Sequence, residues 1–329
     1  MIRVKIRVPA TSANLGPGFD CLGIALGIYN EVVIEETGSG RIDITWAPGN
    51  DIIVPRDKNL VYTAFVRAMD ILGFEHHGVS INMSKRAIPI GKGLGSSAAS
   101  VVAGVLGANQ IAGEPLSFEE IIDVATAIEG HPDNVVPALV GGMTVAVQEG
   151  SRVCYSKVRV PGNLRFVAMV PGFTLDTSSA RQALPTAYSR DDAVFNLSRA
   201  AMLVSCLQNG EFHSLRMATE DKIHQPFRMR LIPGAPEIFN ELKEAGSLAE
   251  FVSGAGPTIM AMADGDSHAE PLLQKMKAFR ASKGSSPGSG QSEIASGVAA
   301  APGATTGSHK QWSPMILKPD LSGAIAELL

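Results

Sequence analysis

Gly91, Gly93 and Gly95 stand at alternate positions in the run Pro89-Ile90-Gly91-Lys92-Gly93-Leu94-Gly95-Ser96-Ser97-Ala98-Ala99-Ser100. Glycine tolerates positive φ and lets main-chain N–H groups come close to a ligand. Ser96 or Ser97 reads as the N-cap of the small apolar run 98–108, and a helix N-terminus points unpaired N–H groups at an anion. Lys92 adds a positive charge within the loop. Residues 78–84 just upstream alternate apolar with polar, as a strand does. Strand, glycine-rich loop and helix in that order predict a phosphate cradle rather than a ligand-free flexible turn. The spacing fits neither the P-loop, which puts Lys-Ser/Thr after its last glycine, nor the dinucleotide fingerprint.

Other residues could complete a site around such an anion. Glu129-Gly130-His131-Pro132-Asp133-Asn134 follows a segment opened by the capping-box pattern Ser117-Phe118-Glu119-Glu120. A carboxylate at a helix end is often merely solvated. Beside a phosphate loop it is what Mg²⁺ needs, since that ion takes one or two carboxylates and fills its shell with phosphate and water oxygens. His131 lacks metal-type partners and reads equally as structural or as a site residue. Arg181, in the run 177–185, falls near an expected helix start, where the helix dipole disfavours a cation. It would suit a ligand carboxylate, which guanidinium takes as a bidentate fork. Pro226 is expected to stop a helix and fix Arg228. In the stretch 9–20, Gly16, Pro17 and Gly18 make a tight loop with Asn14 and Asp20 as its polar members. Spacing alone leaves those two between satisfying their own turn and touching a ligand. Asn59 reads as the N-cap of an amphipathic helix over 59–70.

The elements that must position these residues need a chain of some size, and 329 residues allow one large or, better, two domains. We place the boundary between 150 and 160, giving units 1–155 and 156–329. Hydrophobic residues at 45% and charged ones at 18% supply a core. A net charge of −4 without basic runs excludes a polyanion-binding arm and gives no reason to expect nucleic acid. Cys21, Cys154 and Cys206 have no metal-type spacing and read as buried thiols in a reducing compartment. The N-terminus alternates apolar with basic residues as a half-buried strand, not a signal peptide, and no apolar run reaches membrane-span length. A soluble cytoplasmic protein is expected. Strands are expected over 29–35, 40–46, 137–147 with a bend at Gly141-Gly142, 164–170 and 313–318, and a helix over 194–207. Residues 251–262 hold a second glycine-rich loop, either a tight turn or a support for the first. Residues 281–309, rich in Ser, Gly and Ala, read as a flexible insertion without catalytic residues.

The run 89–99 resembles the nucleotide-binding motif of the GHMP kinases, which include galactokinases, homoserine kinases, mevalonate kinases and phosphomevalonate kinases. Pro9-Ala-Thr-Ser-Ala-Asn-Leu-Gly-Pro-Gly-Phe-Asp20 is similar to the substrate loop of the homoserine kinases, much less to that of the others. Residues 177–185 and 221–228 look like further segments of that group, and 251–262 resembles the third GHMP motif. The likeness spans nearly the whole chain except 281–309. It implies an α+β fold, with an N-terminal domain like ribosomal protein S5 domain 2, a ferredoxin-like C-terminal domain and the active site between them. It implies Mg-ATP-dependent phosphorylation of the L-homoserine hydroxyl to O-phospho-L-homoserine, in threonine biosynthesis, by a homodimer.

ATP would lie on Pro89, Ile90, Gly91, Lys92, Gly93, Leu94, Gly95, Ser96, Ser97, Ala98 and Ala99, with Asn59 flanking the adenine. Glu129 and Ser97 would hold Mg²⁺. Arg181 and Arg228 would take the substrate carboxylate and Asp20 its ammonium, with Thr177 and His131 nearby. Asn14 and Asn134 would orient the hydroxyl. Mevalonate-kinase-like relatives carry a catalytic aspartate where this chain has Asn134, and an amide is no base, so transfer is expected without a protein base at that position. The alternatives are a GHMP kinase for mevalonate or a sugar, or a nucleotide-binding paralogue without turnover. The paired arginines and the Asn14/Asp20 loop argue for an amino acid. The intact glycine-rich motifs and Glu129 argue for turnover.

Overall fold

Burial along the first strand sets up the site. In the computed structural model, which describes residues 2–46, 55–75, 77–283 and 312–329, β1 (Arg3–Asn14) buries Val4, Ile6 and Val8 in alternation and then every residue to Asn14. Residues 9–14 thus extend the strand, and the expected loop shrinks to a turn at Leu15-Gly16-Pro17 before β2 (Gly18–Glu36). β3 (Ile42–Trp46), α1 (Leu60–Leu72) and β4 (Val79–Arg86) follow, then α2 (Ser96–Ile111), α3 (Phe118–Glu129) and α4 (Pro132–Val140). The expected strand over 137–147 is instead the end of α4, a Gly141-Gly142 turn and β5 (Met143–Glu149). Within that range α4 buries Pro137, Ala138 and Leu139, and this burial overrides the weak strand preference of β-branched Val140. β6 (Arg152–Val158) pairs with β5.

The second half holds β7 (Leu164–Pro171), α5 (Thr177–Gln182), α6 (Arg190–Asn209), α7 (Leu215–Ala218), α8 (Gln225–Arg228) and α9 (Ala235–Glu244). β8 (Ala249–Val252), β9 (Ile259–Asp264), α10 (Asp266–Lys283), β10 (Trp312–Leu317) and β11 (Ile325–Leu328) complete it. Pro226 does not stop a helix. It lies in the first turn of α8, where its missing N–H costs nothing. Of the insertion expected at 281–309, residues 281–283 end α10 and the rest lies outside the described residues.

Among the described residues the strands form two sheets. The first has the order β11-β1-β2-β4-β3, and the long β2 also pairs with β5. The chain's last strand therefore returns to its first, Val4 opposite Leu328. The second is antiparallel in the order β10-β7-β9-β8, the ferredoxin-like arrangement. Period-two alternation splits β7 between two cores. Phe166, Ala168 and Val170 face the larger core, shared with α2 and α6, while Val167 and Met169 face Ile238, Leu242, Leu272 and Met276 of α9 and α10. α2 is buried nearly all round, and Gly104 lets α1 approach: a Cβ there would lie 2.4 Å from Val61 O. All three cysteines are free, but only Cys206 is buried. Cys21 is half-buried, and Cys154 on β6 is exposed.

Candidate active site

Gly91, Gly93 and Gly95 all adopt positive φ, +62°, +73° and +68°. Two of them also exclude any side chain by contact. A Cβ on Gly93 would lie 2.3 Å from Ser253 O, and one on Gly95 would lie 1.9 Å from Thr11 Oγ1. The second glycine-rich loop packs beneath the first and holds it. Ser253 Oγ donates to Gly93 O (2.5 Å) and meets Ser12 Oγ (2.8 Å), Thr258 N donates to Lys92 O (3.2 Å), and Gly254 N donates to Ala13 O (3.0 Å). The N-cap of α2 is Gly95 rather than a serine, because its left-handed backbone already turns the chain into the helix. Ser96 and Ser97 become the first helical residues, and neither hydroxyl caps the helix. Lys92 Nζ donates to Phe173 O, and burial pulls its pKa down. Leu94, Ala98 and Ala99 are buried beneath the loop and Pro89 is half-buried, so their contribution to a nucleotide site would be through backbone.

Two cavities meet at this loop. One, of about 230 Å³, is charged and takes in Asn14, Asp20, Gly91 to Gly93, Gly95 to Ser97, Glu129, His131, Asp133, Asn134, Thr177, Arg181, Arg228 and Gly254-Ala255. The other, of about 290 Å³, is mostly apolar, with Trp46, Leu60, Val61, Met83 and Ile90 on its walls, and shares Gly91, Ser96 and Ser97 with the first. Asn59 lines the apolar cavity, but its Oδ1 is taken by the N–H groups of Val61 and Tyr62 as the cap of α1. Trp46 and Met83 were not singled out in the sequence. They lie on neighbouring strands that only the β3–β4 register brings side by side.

Glu129 and Asn134 flank a sharp reversal made by Gly130 (φ +98°) and by Pro132 in the first turn of α4. Ser97 Oγ donates to Glu129 Oε2 at 2.8 Å. Burial raises the Glu129 pKa, a rise only partly offset by that hydrogen bond. A carboxylate beside a hydroxyl is a hard oxygen donor set, and among the described residues no group of three or more His, Cys, Asp and Glu could hold a metal ion. The pair fits an ion that brings the rest of its shell as phosphate and water oxygens, which is the habit of Mg²⁺. His131 Nδ1 lies 2.5 Å from Asp133 Oδ1. Burial lowers its pKa, but the hydrogen bond and charge of Asp133, with the charge of Glu129, outweigh this and leave it raised. Asn134 Oδ1 accepts from Thr11 Oγ1 at 2.7 Å, which turns its NH₂ toward Asp133 Oδ1 (3.3 Å). Asp133 and Thr11 are site residues the sequence reading missed, although Asp133 stands between two that it named.

On the opposite wall, Arg181 clamps Asp20 in a bidentate pair, Nη1–Oδ2 2.9 Å and Nη2–Oδ1 2.8 Å. Arg181 lies in the last turn of the short α5, whose N-cap is Asp176. The dipole therefore favours it, contrary to the expectation of a helix start. Thr177 opens the same helix and lines the charged cavity. Arg228 is only 2% exposed and forms no ion pair with a carboxylate among the described residues. Its Nη1 donates to Gly254 O at 2.9 Å, and Nε has no partner among the described residues. Burial first, then the nearby Arg181 charge, lowers its pKa to about 10. The ring of Phe19 carries both guanidinium groups, at 5.7 Å for Arg181 and 5.2 Å for Arg228. Asn14, at φ +67°, donates from Nδ2 to Gly254 O (2.9 Å) and accepts Asp20 N–H (3.0 Å), tying the turn to the second glycine-rich loop.

Comparison with known proteins agrees with this geometry. Residues 59–142 match the GHMP kinases N terminal domain, and residues 203–281 match the GHMP kinases C terminal domain. The homoserine kinase of Clostridium novyi is 47% identical over 276 residues, 84% of this chain and 91% of that one. The homoserine kinase of Clostridium kluyveri is 41% identical over 325 residues, 98% of each chain. The crystal structure of homoserine kinase from Cytophaga hutchinsonii superposes with a TM-score of 0.80 at 27% identity, covering 99% of this chain and 97% of that one. With the two glycine-rich loops knitted together and facing paired arginines, these matches establish that the chain belongs to the GHMP kinases, in their homoserine kinase group.

Proposed function

We propose that the chain transfers the γ-phosphoryl group of ATP to the side-chain hydroxyl of L-homoserine, giving ADP and O-phospho-L-homoserine, a step of threonine biosynthesis. The observation that carries this reading is Arg228: a buried cation with no acidic partner among the described residues, beside the Arg181–Asp20 pair and in one cleft with the glycine-lined loop. An uncompensated buried charge is costly, and a ligand carboxylate would relieve that cost. An α-amino acid brings both signs of charge, its carboxylate for Arg228 and Arg181 and its ammonium for Asp20. Thr177 and His131 line the same cavity around it.

The loop from Gly91 to Ser97 would receive the phosphates on N–H groups and the α2 N-terminus. The apolar cavity would take the adenine, with Asn59 ordering the start of α1 beside it. Ser97 and Glu129 would hold Mg²⁺, which when bound neutralises charge on the phosphate oxygens. Phosphoryl transfer passes through a loose transition state, so positioning and charge matter more than a base. With the Asn134 oxygen held by Thr11, the amide NH₂ would be the group that meets the acceptor hydroxyl. Asn14 would act alongside by fixing the turn that carries Asp20. The hydroxyl oxygen forms its bond to the γ-phosphorus as the bond to the β,γ-bridging oxygen breaks. The proton leaves to a phosphoryl oxygen or to solvent, and ADP departs.

The proposal extends to units 1–155 and 156–329, with the last strand returned to the first sheet, working as a cytoplasmic homodimer. Three free cysteines accord with a reducing compartment, and exposed Val194, Leu197 and Met202 on α6 offer a surface for a second copy. Among the described residues no helix is long and apolar enough to cross a membrane. ADP release measured with L-homoserine, mevalonate and galactose tests the whole reading. Turnover with homoserine alone is expected. Turnover with mevalonate or galactose alone, or with none of the three, would sink it.

A further inference from the structure

His224 is fully buried, and nothing in the phosphoryl transfer uses it. Its Nε2 lies 2.7 Å from Gly16 O, a group that can only accept, so the ring proton sits on Nε2. Nδ1 is then an acceptor, and it faces Arg228 Nη1 at 3.3 Å. The ring packs against Phe19 with centroids 5.5 Å apart, and the same Phe19 carries Arg228 on its face. Asp221 is the nearest acid, 3.7 Å from Nε2. Its oxygens already accept the N–H groups of Ile223, His224 and Gln225 and the Asn196 amide. Every group that holds Arg228 is therefore neutral: an imidazole nitrogen, a carbonyl oxygen and an aromatic face. A carboxylate in any of those places would consume the charge that a ligand needs.

We propose that His224 is a positioning residue for the acceptor's carboxylate, a neutral imidazole anchored on Gly16 O that fixes the Arg228 guanidinium without neutralising it. The inference rests on the assignment of Arg228 to the substrate carboxylate. A pKa lowered to about 4, by burial above all, agrees with a neutral ring at physiological pH.

The test compares His224→Leu and His224→Gln in the full chain, with L-homoserine and with 3-amino-1-propanol, the same amino alcohol without its carboxylate. His224→Leu should raise the homoserine KM about 10- to 100-fold, the usual cost of a lost hydrogen bond to a charged group. The ATP KM and the weak turnover of 3-amino-1-propanol should stay within about twofold. His224→Gln, whose amide can donate to Gly16 O and accept from Arg228, should recover most of the homoserine affinity. Nitrogen-15 NMR of the histidines in the wild type should find the ring neutral and Nε2-protonated at neutral pH. An unchanged homoserine KM in folded His224→Leu, equal losses with both acceptors, or an imidazolium at neutral pH overturns the proposal. If His224→Leu does not fold, the glutamine variant and the NMR measurement still decide. A wild type that uses both acceptors equally well would instead remove the carboxylate assignment itself.

Discussion

Arg228 and Arg181 carry the same charge a short distance apart, yet the protein treats them differently. Arg181 already has Asp20 on its fork, whereas the groups in contact with Arg228 are neutral and the charges of Arg181, Asp20, Asp133 and Asp221 reach it only through space. Arg228→Ala should therefore raise the homoserine KM by about 10- to 100-fold and leave the ATP KM nearly unchanged. Since that variant also removes a buried unpaired charge, its thermal midpoint should not fall as far as a core truncation would require. Equal loss of both affinities together with folding would return the arginine to the scaffold. Glu129→Gln keeps shape but removes the anionic donor, so the Mg²⁺ concentration for half-maximal activity should rise by about tenfold or more. Unaltered metal dependence would remove Glu129 as a ligand. His224 gives the pH dependence. Its folded pKa of about 4 lies below the ordinary histidine value, so between the two the unfolded chain binds more protons than the folded one. Stability should rise with pH across roughly pH 4 to 6.5, with a slope from this group of at most about 1.4 kcal/mol per pH unit. Urea midpoints measured across that window should flatten in His224→Gln.

At the scale of elements, the site is made by chain reversals rather than by the bodies of helices and strands. The Leu15–Pro17 turn delivers Asp20, Gly130 with Pro132 delivers Glu129 and Asn134, and Gly95 starts α2 so that its serines face the cleft. Glycines in such places are not equivalent. Gly150 also has positive φ (+62°) but nothing lies within 4 Å of its would-be Cβ, whereas Gly93 presses on Ser253 O and Gly256 O. Gly150→Ala should cost only backbone strain, about 1–2 kcal/mol, with kinetics unchanged. Gly93→Ala must push the two glycine-rich loops apart, and a loss of ATP affinity well beyond its change in stability is expected. Similar ATP affinity in both variants would show that the close approach at Gly93 has no functional weight. Capping was readable in the sequence where it depends on side chains: Asn59 and the Ser117–Glu120 box act as expected. The start of α2 was misread because Gly95, which lacks a capping side chain, takes that place by conformation alone.

For the molecule as a whole, the link that matters joins the two sheets. Ser12 of β1 meets Ser253 beyond β8, Asn14 donates to Gly254 O, and Ser253 in turn holds Gly93 O. The first glycine-rich loop thus rests on residues some 160 positions away in the chain. Ser253→Ala should raise the ATP KM by about 2- to 10-fold, the range for one or two lost neutral hydrogen bonds, with a smaller effect on homoserine. A Ser12→Ala and Ser253→Ala double-mutant cycle should be non-additive, and strict additivity would mean that the two loops act independently.

The sequence by itself determined the positive-φ glycine-rich turn before α2, the tight turn at Gly16, and the capping of α1 and α3. These depend on backbone freedom and on capping side chains, which short stretches carry with them. It misplaced Arg181 within its helix and read the end of α4 as strand, because burial there outweighs local preference. Trp46, Thr11, Phe19 and His224 were beyond its reach. Each contributes through a neighbour brought close only by strand register or by the approach of the second sheet, and pairings at that distance leave no periodic trace in the residues themselves. Tertiary structure alone decided that Arg228 would be buried with only neutral groups in contact with it, which leaves its guanidinium without an ion-pair partner among the described residues.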